Sequence, residues 1–179
     1  GAQSGRPLPV PGAEAPNVVT AMAFLRAFND GRLQHVGKRV VVIGGGDTSI
    51  DVATVARRLG HIKTANPSER AEHIIAGQVA HDVAAVSAKD GADVVLCSRA
   101  PVDKMNANKH EVDEALAEGI EIRGNVTPVS VVVGADGRAT ALRVAELETV
   151  GGKQVVKEGT EYDIPADLIV SAIGQAVDF

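Results

Sequence analysis

The residues whose types and spacing best suit chemistry are Gly44-Gly45-Gly46-Asp47-Thr48-Ser49, which follow Arg39-Val40-Val41-Val42-Ile43 without a break. An uninterrupted β-branched run of that kind predicts a strand buried on both faces. Beyond the glycines, Ile50, Ala53, Val55, Ala56 and Leu59 recur at helical spacing, with Arg57 and Arg58 near the end and Gly60 placed to stop the helix. A strand, a glycine turn and a helix in that order leave backbone N–H groups free at the positive end of a helix dipole, where a pyrophosphate fits. In such a turn Gly44 permits the tight bend, Gly46 lets the backbone approach the pyrophosphate, and a third small residue lets helix and strand pack closely. The third position is Ser49 instead of Gly or Ala, so its hydroxyl must find a partner. The chemistry implied is dinucleotide binding, with a glycine turn kept for steric reasons alone as the alternative.

The surrounding elements must hold that turn at a sheet edge. Residues 1–16 are rich in Pro and Gly and predict an irregular, extended linker. A short helix over 21–28 follows, capped by Thr20 and stopped at Asn29-Asp30-Gly31. A second strand is predicted at 94–97, with Arg99 emerging just beyond its end. In dinucleotide-binding folds the residue that reads the ribose stands about 20 residues after the glycine fingerprint. Arg99 lies much further on, so the segment 61–93 reads as an insertion, and Ile75, Val79, Val83 and Val86 give it an amphipathic helix. His61, His73 and His81 lie in or beside it without a cysteine, and are read as solvated or packed histidines with no metal site. Residues 108–119 predict an acidic-faced helix and 120–122 a third short strand. The pattern then changes to an antiparallel three-stranded meander over 126–133, 139–148 and 154–157, with turns at 134–137 and Gly151-Gly152. Residues 167–174 return as a buried strand. The fold class predicted is α/β, a Rossmann-like parallel sheet with flanking helices plus the meander.

Composition narrows the function. The 179 residues are 45% hydrophobic but only 2% aromatic, with no Trp, so the core is built from Val, Ala, Ile and Leu. That removes the stacking platforms of single-stranded nucleic acid binding, and a net charge of −5 argues against nucleic-acid and anionic-membrane partners. Cys97 is the only cysteine, which excludes an intrachain disulfide or a four-cysteine cluster and predicts a small buried strand residue. No apolar run reaches the length of a membrane span, and the default location is cytoplasmic.

The runs Gly44 to Asp51, Met105 to Gly119 and Val170-Ser171-Ala172-Ile173-Gly174-Gln175, together with Leu8-Pro9-Val10-Pro11-Gly12 and Val18-Val19-Thr20-Ala21, resemble the NADPH-binding domain of the glutamate synthase small chain. The corresponding domain of dihydropyrimidine dehydrogenase is similar. The resemblance covers nearly the whole chain apart from 61–93. It implies a two-dinucleotide-binding flavoprotein in which an FAD domain, split in sequence, carries an NADP(H) domain between its halves. Residues 1–16 would be the crossover from that FAD domain, 17–174 the NADP(H)-binding domain with its helical insertion, and 175–179 the start of the return. The FAD domain of the same polypeptide and the cysteines of iron–sulfur clusters would lie elsewhere, with an iron–sulfur electron-transfer or synthase subunit as partner. Carried over residue by residue, the pyrophosphate cradle is Gly44, Gly45, Gly46, Asp47, Thr48 and Ser49, and Gly174 and Gln175 belong to the cofactor site. Asp51, the fingerprint acid, is read either as a ligand contact or as a dipole and capping residue. Arg99 stands where an Arg accommodates a 2′-phosphate, which favours NADPH over NADH. The family often has two adjacent arginines there, whereas this chain has Arg99-Ala100 with Lys104 and Lys109 nearby. Hydride would pass from NADPH to FAD and electrons on to iron–sulfur partners, the isolated chain being inactive. No catalytic residue is named, because the cofactors carry such chemistry. A non-catalytic nucleotide-binding or interaction module with the same fold is the alternative.

Overall fold

A computed structural model describes residues 8–32, 37–62 and 92–173. Five parallel strands form the main sheet in the order β1-β9-β2-β3-β4: β1 Val18–Thr20, β9 Leu168–Ser171, β2 Arg39–Ile43, β3 Asp93–Cys97 and β4 Glu121–Arg123. The β2 run is buried on both faces because each face has its own cover. Val40 and Val42 pack with Phe24, Ile50, Ala53, Ala56, Val112 and Ala115, which come from the helices α1 (Ala21–Asn29), α2 (Asp47–Ile62) and α3 (Lys109–Ala117). Val41 and Ile43 pack on the opposite face with Leu142, Val144, Val131 and Ile164 of the antiparallel strands, and with Leu8 and Ala15 of the opening segment. A parallel sheet is thus sandwiched between helices and a second sheet, a layering that needs apolar residues from Val40 to Ile43, with only Arg39 at the strand's start exposed.

The second sheet is built on one long strand, β6 (Ala139–Val150), which pairs with β5 (Val126–Val133) along one edge and with β7 (Lys153–Val156) at its far end. A fourth strand, β8 (Tyr162–Pro165), pairs with β6 over Ala141–Val144 and adds to the three expected. Only Ile164 of β8 is buried, so four residues with one inward apolar side chain give no readable alternation.

Local chemistry sets the boundaries. The Thr20 hydroxyl caps α1 by accepting from the Ala23 N–H at 3.1 Å, as expected. Asn108 caps α3, its side-chain oxygen accepting from His110 N–H at 2.8 Å. Gly60 does not end α2, which continues to Ile62. A single interior glycine costs a helix about 1 kcal/mol against alanine, too little to stop it. Arg57 is a core residue instead of a helix-end charge: at 5% exposure, its guanidinium donates to the carbonyls of Ala92, at 2.7 Å, and Glu118. It ties α2 to the start of β3 and the end of α3. The opening segment is irregular over residues 8–17, yet Leu8 and Ala15 are buried and Pro11 accepts from the Val131 N–H at 2.8 Å. The amphipathic helix expected within 61–93, with His73 and His81, lies outside the described residues, as does the His61 side chain. No described helix is long and apolar enough to cross a membrane.

Candidate functional site

At the carboxyl edge of the parallel sheet a cleft of about 510 Å³ opens between the two sheets. Its floor is Ile43, Cys97 and Ala172, the ends of β2 and β3 and the residue after β9. Gly44, Gly45 and Gly46 form one wall with Asn106, while Val126, Thr127 and Pro128 of β5 form the other with Pro9 and Val10 of the opening segment. Ligands of open α/β sheets bind in this position, outside the carboxyl ends of the strands.

The three glycines meet different surroundings. Gly44 has φ +148, and a Cβ there would sit 3.1 Å from Ala172 Cβ and 3.2 Å from Ser49 Cβ. Its N–H donates to the Cys97 carbonyl at 2.9 Å, which draws the turn across β3. A Cβ on Gly45 would reach 2.9 Å from Ser98 Oγ. A Cβ on Gly46 would meet nothing within 4 Å, so the backbone there faces open space. Ser49 is buried and resolves the question its hydroxyl poses, donating to the Gly46 carbonyl at 2.6 Å. The first amide to fold back on the turn is Ser49 N–H, also to Gly46, so the amides of Asp47 and Thr48 precede the helical ladder.

Asp47 turns outward from the cleft. Its Oδ1 accepts from the Asn108 N–H at 2.8 Å, while the Gly45 carbonyl accepts from Ala107 N–H at 2.9 Å. The loop after β3 is thereby fastened to the glycine turn at two points. Asp51 lies one turn beyond Asp47 on α2, past the first turn that its dipole and capping reading requires, and does not line the cleft; burial first, and then the Asp47 charge, raise its carboxyl above the ordinary value.

Arg99 emerges at the end of β3 and lines the cleft. Its Nη1 donates to Thr127 Oγ1 at 3.0 Å, and its carbonyl accepts from Gln154 Nε2 at 2.6 Å. Arg32, Arg39, Arg58, Arg123 and Arg143 each pair with a carboxylate, whereas among the described residues Arg99 has none within ion-pair distance. A guanidinium held by a neutral acceptor keeps its charge available for an anion. Lys104 is exposed on the 3-10 turn Val102–Lys104, and Lys109 is exposed at the start of α3; neither lines the cleft. Gly174 and Gln175 lie outside the described residues. Cys97 is 2% exposed, and burial pushes its thiol up to about 12, with Arg123 lowering and Glu121 raising it, so it stays protonated.

The wall opposite the glycines was not anticipated from sequence. Thr127 and Pro128 belong to a strand whose alternation marks a face but not the cleft it meets, and Asn106 is a lone polar residue in a loop. Pro9 and Val10 sit in the segment read as a linker.

The family model described as pyridine nucleotide-disulphide oxidoreductase matches residues 1–178. The glutamate synthase [NADPH] small chain of Mycobacterium tuberculosis is 31% identical over 97% of this chain and 34% of its own length. That of Escherichia coli is 26% identical over 88% of this chain and 28% of its own length. The chain therefore spans about a third of the length of these relatives. Among solved structures, Mycobacterium tuberculosis FprA in complex with NADPH matches with a TM-score of 0.64 at 18% identity, covering 98% of this chain and 48% of that one. That likeness shows the fold: a parallel sheet with flanking helices and antiparallel strands, as expected from the sequence.

Proposed function

Because the chain belongs to the pyridine nucleotide-disulphide oxidoreductase family and is similar to glutamate synthase small chains, we propose that it is the NADP(H)-binding domain of a flavoprotein reductase. In that reading hydride passes from NADPH to an FAD held by other parts of the polypeptide, and the electrons continue to an iron–sulfur subunit. NADPH, when bound, supplies the hydride. The chain's own residues bind and orient it. The backbone of Gly44 to Gly46, with the leading amides of α2, receives the pyrophosphate. The open space at Gly46 fits that role. Ser49 and Asp47 brace the turn through Gly46 and Asn108. Arg99 receives the 2′-phosphate. Lys104, Gly174 and Gln175 remain part of the proposed cofactor site on the strength of the resemblance.

The observation that carries this reading is the pairing, across one cleft, of an unobstructed backbone at Gly46 with an arginine that no carboxylate among the described residues neutralises. Charge-assisted hydrogen bonds contribute about 1.5–3 kcal/mol each, roughly 10- to 150-fold in affinity. Arg99→Ala is therefore expected to weaken NADPH binding by that factor, to leave NADH binding nearly unchanged, and to show a smaller NADPH effect at high salt. Calorimetric titration of both cofactors decides it. Equal losses, or none, would remove Arg99 from the selector role.

A further inference from the structure

Arg99 is pinned at both ends by a sheet to which it does not belong. Its guanidinium donates to Thr127 on β5, and its carbonyl accepts from Gln154 on β7. Those two strands do not pair with each other; both are registered on β6, Thr127 opposite Ala145 and Gln154 opposite Thr149. The position of Arg99 at the cleft is thus set by a single long strand acting through two side chains. Thr127 also lines the cleft. Its hydroxyl oxygen accepts from Arg99, which leaves its own proton to donate, and an acceptor polarised by a cation is a better donor to an anion.

We propose that Thr127 and Gln154 are positioning residues for 2′-phosphate recognition, fixing the Arg99 guanidinium and backbone so that the antiparallel sheet sets the preference for a 2′-phosphorylated dinucleotide. The inference rests on the reading of Arg99 as the 2′-phosphate selector. Geometry favours it over plain anchoring of the β6–β7 hairpin. An anchor could use any backbone carbonyl on the sheet edge, whereas Gln154 takes that of Arg99 while Thr127 takes the same residue's side chain.

The test measures dissociation constants for NADPH and NADH in the 179-residue chain carrying Thr127→Val, Thr127→Ser, Gln154→Ala or Arg99→Ala, and in the two doubles that add Arg99→Ala to Thr127→Val or Gln154→Ala. Thr127→Val and Gln154→Ala are each expected to weaken NADPH binding by about 2- to 12-fold, the size of one net hydrogen bond, and to leave NADH binding unchanged. Thr127→Ser, which keeps the hydroxyl, should restore wild-type preference. In the Arg99→Ala background neither substitution should have any further effect, since coupled residues lose their separate contributions together. A merely structural role would move both cofactors equally and would persist without Arg99; either result overturns the proposal. Selective loss in Arg99→Ala with full NADPH preference in Thr127→Val or Gln154→Ala would refute the positioning role and leave the selector standing. No selective loss in Arg99→Ala would refute both.

Discussion

Gly44 and Gly46 stand two positions apart and answer to different constraints. Gly44 has a positive φ and a Cβ there would crowd Ala172 and Ser49, while Gly46 has neither restriction. Gly44→Ala is therefore expected to cost about 1–3 kcal/mol of folding stability, read from the urea midpoint, because a side chain is forced into a strained backbone region against Ala172 and Ser49. Gly46→Val is expected to leave the midpoint and far-UV circular dichroism nearly unchanged and to abolish NADPH binding by filling the space over the turn. A destabilised Gly46→Val that still binds would reverse these assignments. At this scale the sequence was informative where one residue's role follows from its immediate neighbours. The run Arg39 to Ile43 announces the strand, the glycines the turn, and the end of β3 the place of Arg99. Thr127 and Gln154 were not legible, because they lie 28 and 55 positions from Arg99 and reach it through packing between sheets, which no local period encodes.

Elements are joined here by side chains that accept or donate at another element's backbone. Asn17 donates to the carbonyls of Ala139 and Asp167 and accepts from the Ala139 N–H, linking the start of β1 to both sheets. Asp167, just before β9, accepts from the N–H groups of Lys38 and Arg39 at 3.2 and 2.9 Å and from the Arg39 guanidinium at 3.3 Å. Burial pushes the Asp167 carboxyl up, but these hydrogen bonds and the Arg39 charge outweigh it and hold it below the ordinary value of 3.8. A lowered folded-state value means that the stabilisation is fully present above the unfolded carboxyl's range and is lost as pH falls through the folded value. Asp167→Ala should therefore destabilise the chain on the order of 1 kcal/mol near neutral pH, the net size of hydrogen bonds that solvent contests. The difference from wild type should persist down to the ordinary carboxyl value of 3.8 and shrink only as urea titrations are moved below it, through the lowered folded value. A difference independent of pH would mean that the carboxylate is not the group involved. Such joints explain why element type was easier to read than extent: α2 was expected to stop at Gly60, and β8 was not expected at all.

For the whole molecule, the cleft and the relatives' greater length together bear on what the 179 residues can do alone. The described residues contain one strand–glycine–helix turn, which faces a cleft of about 510 Å³. The purified chain is expected to bind NADPH, to show no visible flavin absorbance, and to reduce no acceptor dye until a flavoprotein is added; a bound flavin would require a second site. The sandwich of helices, parallel sheet and antiparallel sheet was legible in outline from the switch in periodicity after residue 122. The packing of Leu8 and Ala15 was not, since a Pro/Gly segment has no period to betray its buried side. The strand order carries one more consequence, which concerns time. The described β1 pairs only with β9, and β9 also separates β1 from β2, so the middle of the sheet is filled by residues synthesised some 150 positions after its edge. A ribosome therefore releases the glycine turn, α2 and β3 long before the sheet can close. Until Leu168–Ser171 arrives, β2 presents an open edge to its surroundings, and any delay there leaves the nascent chain exposed to mispairing.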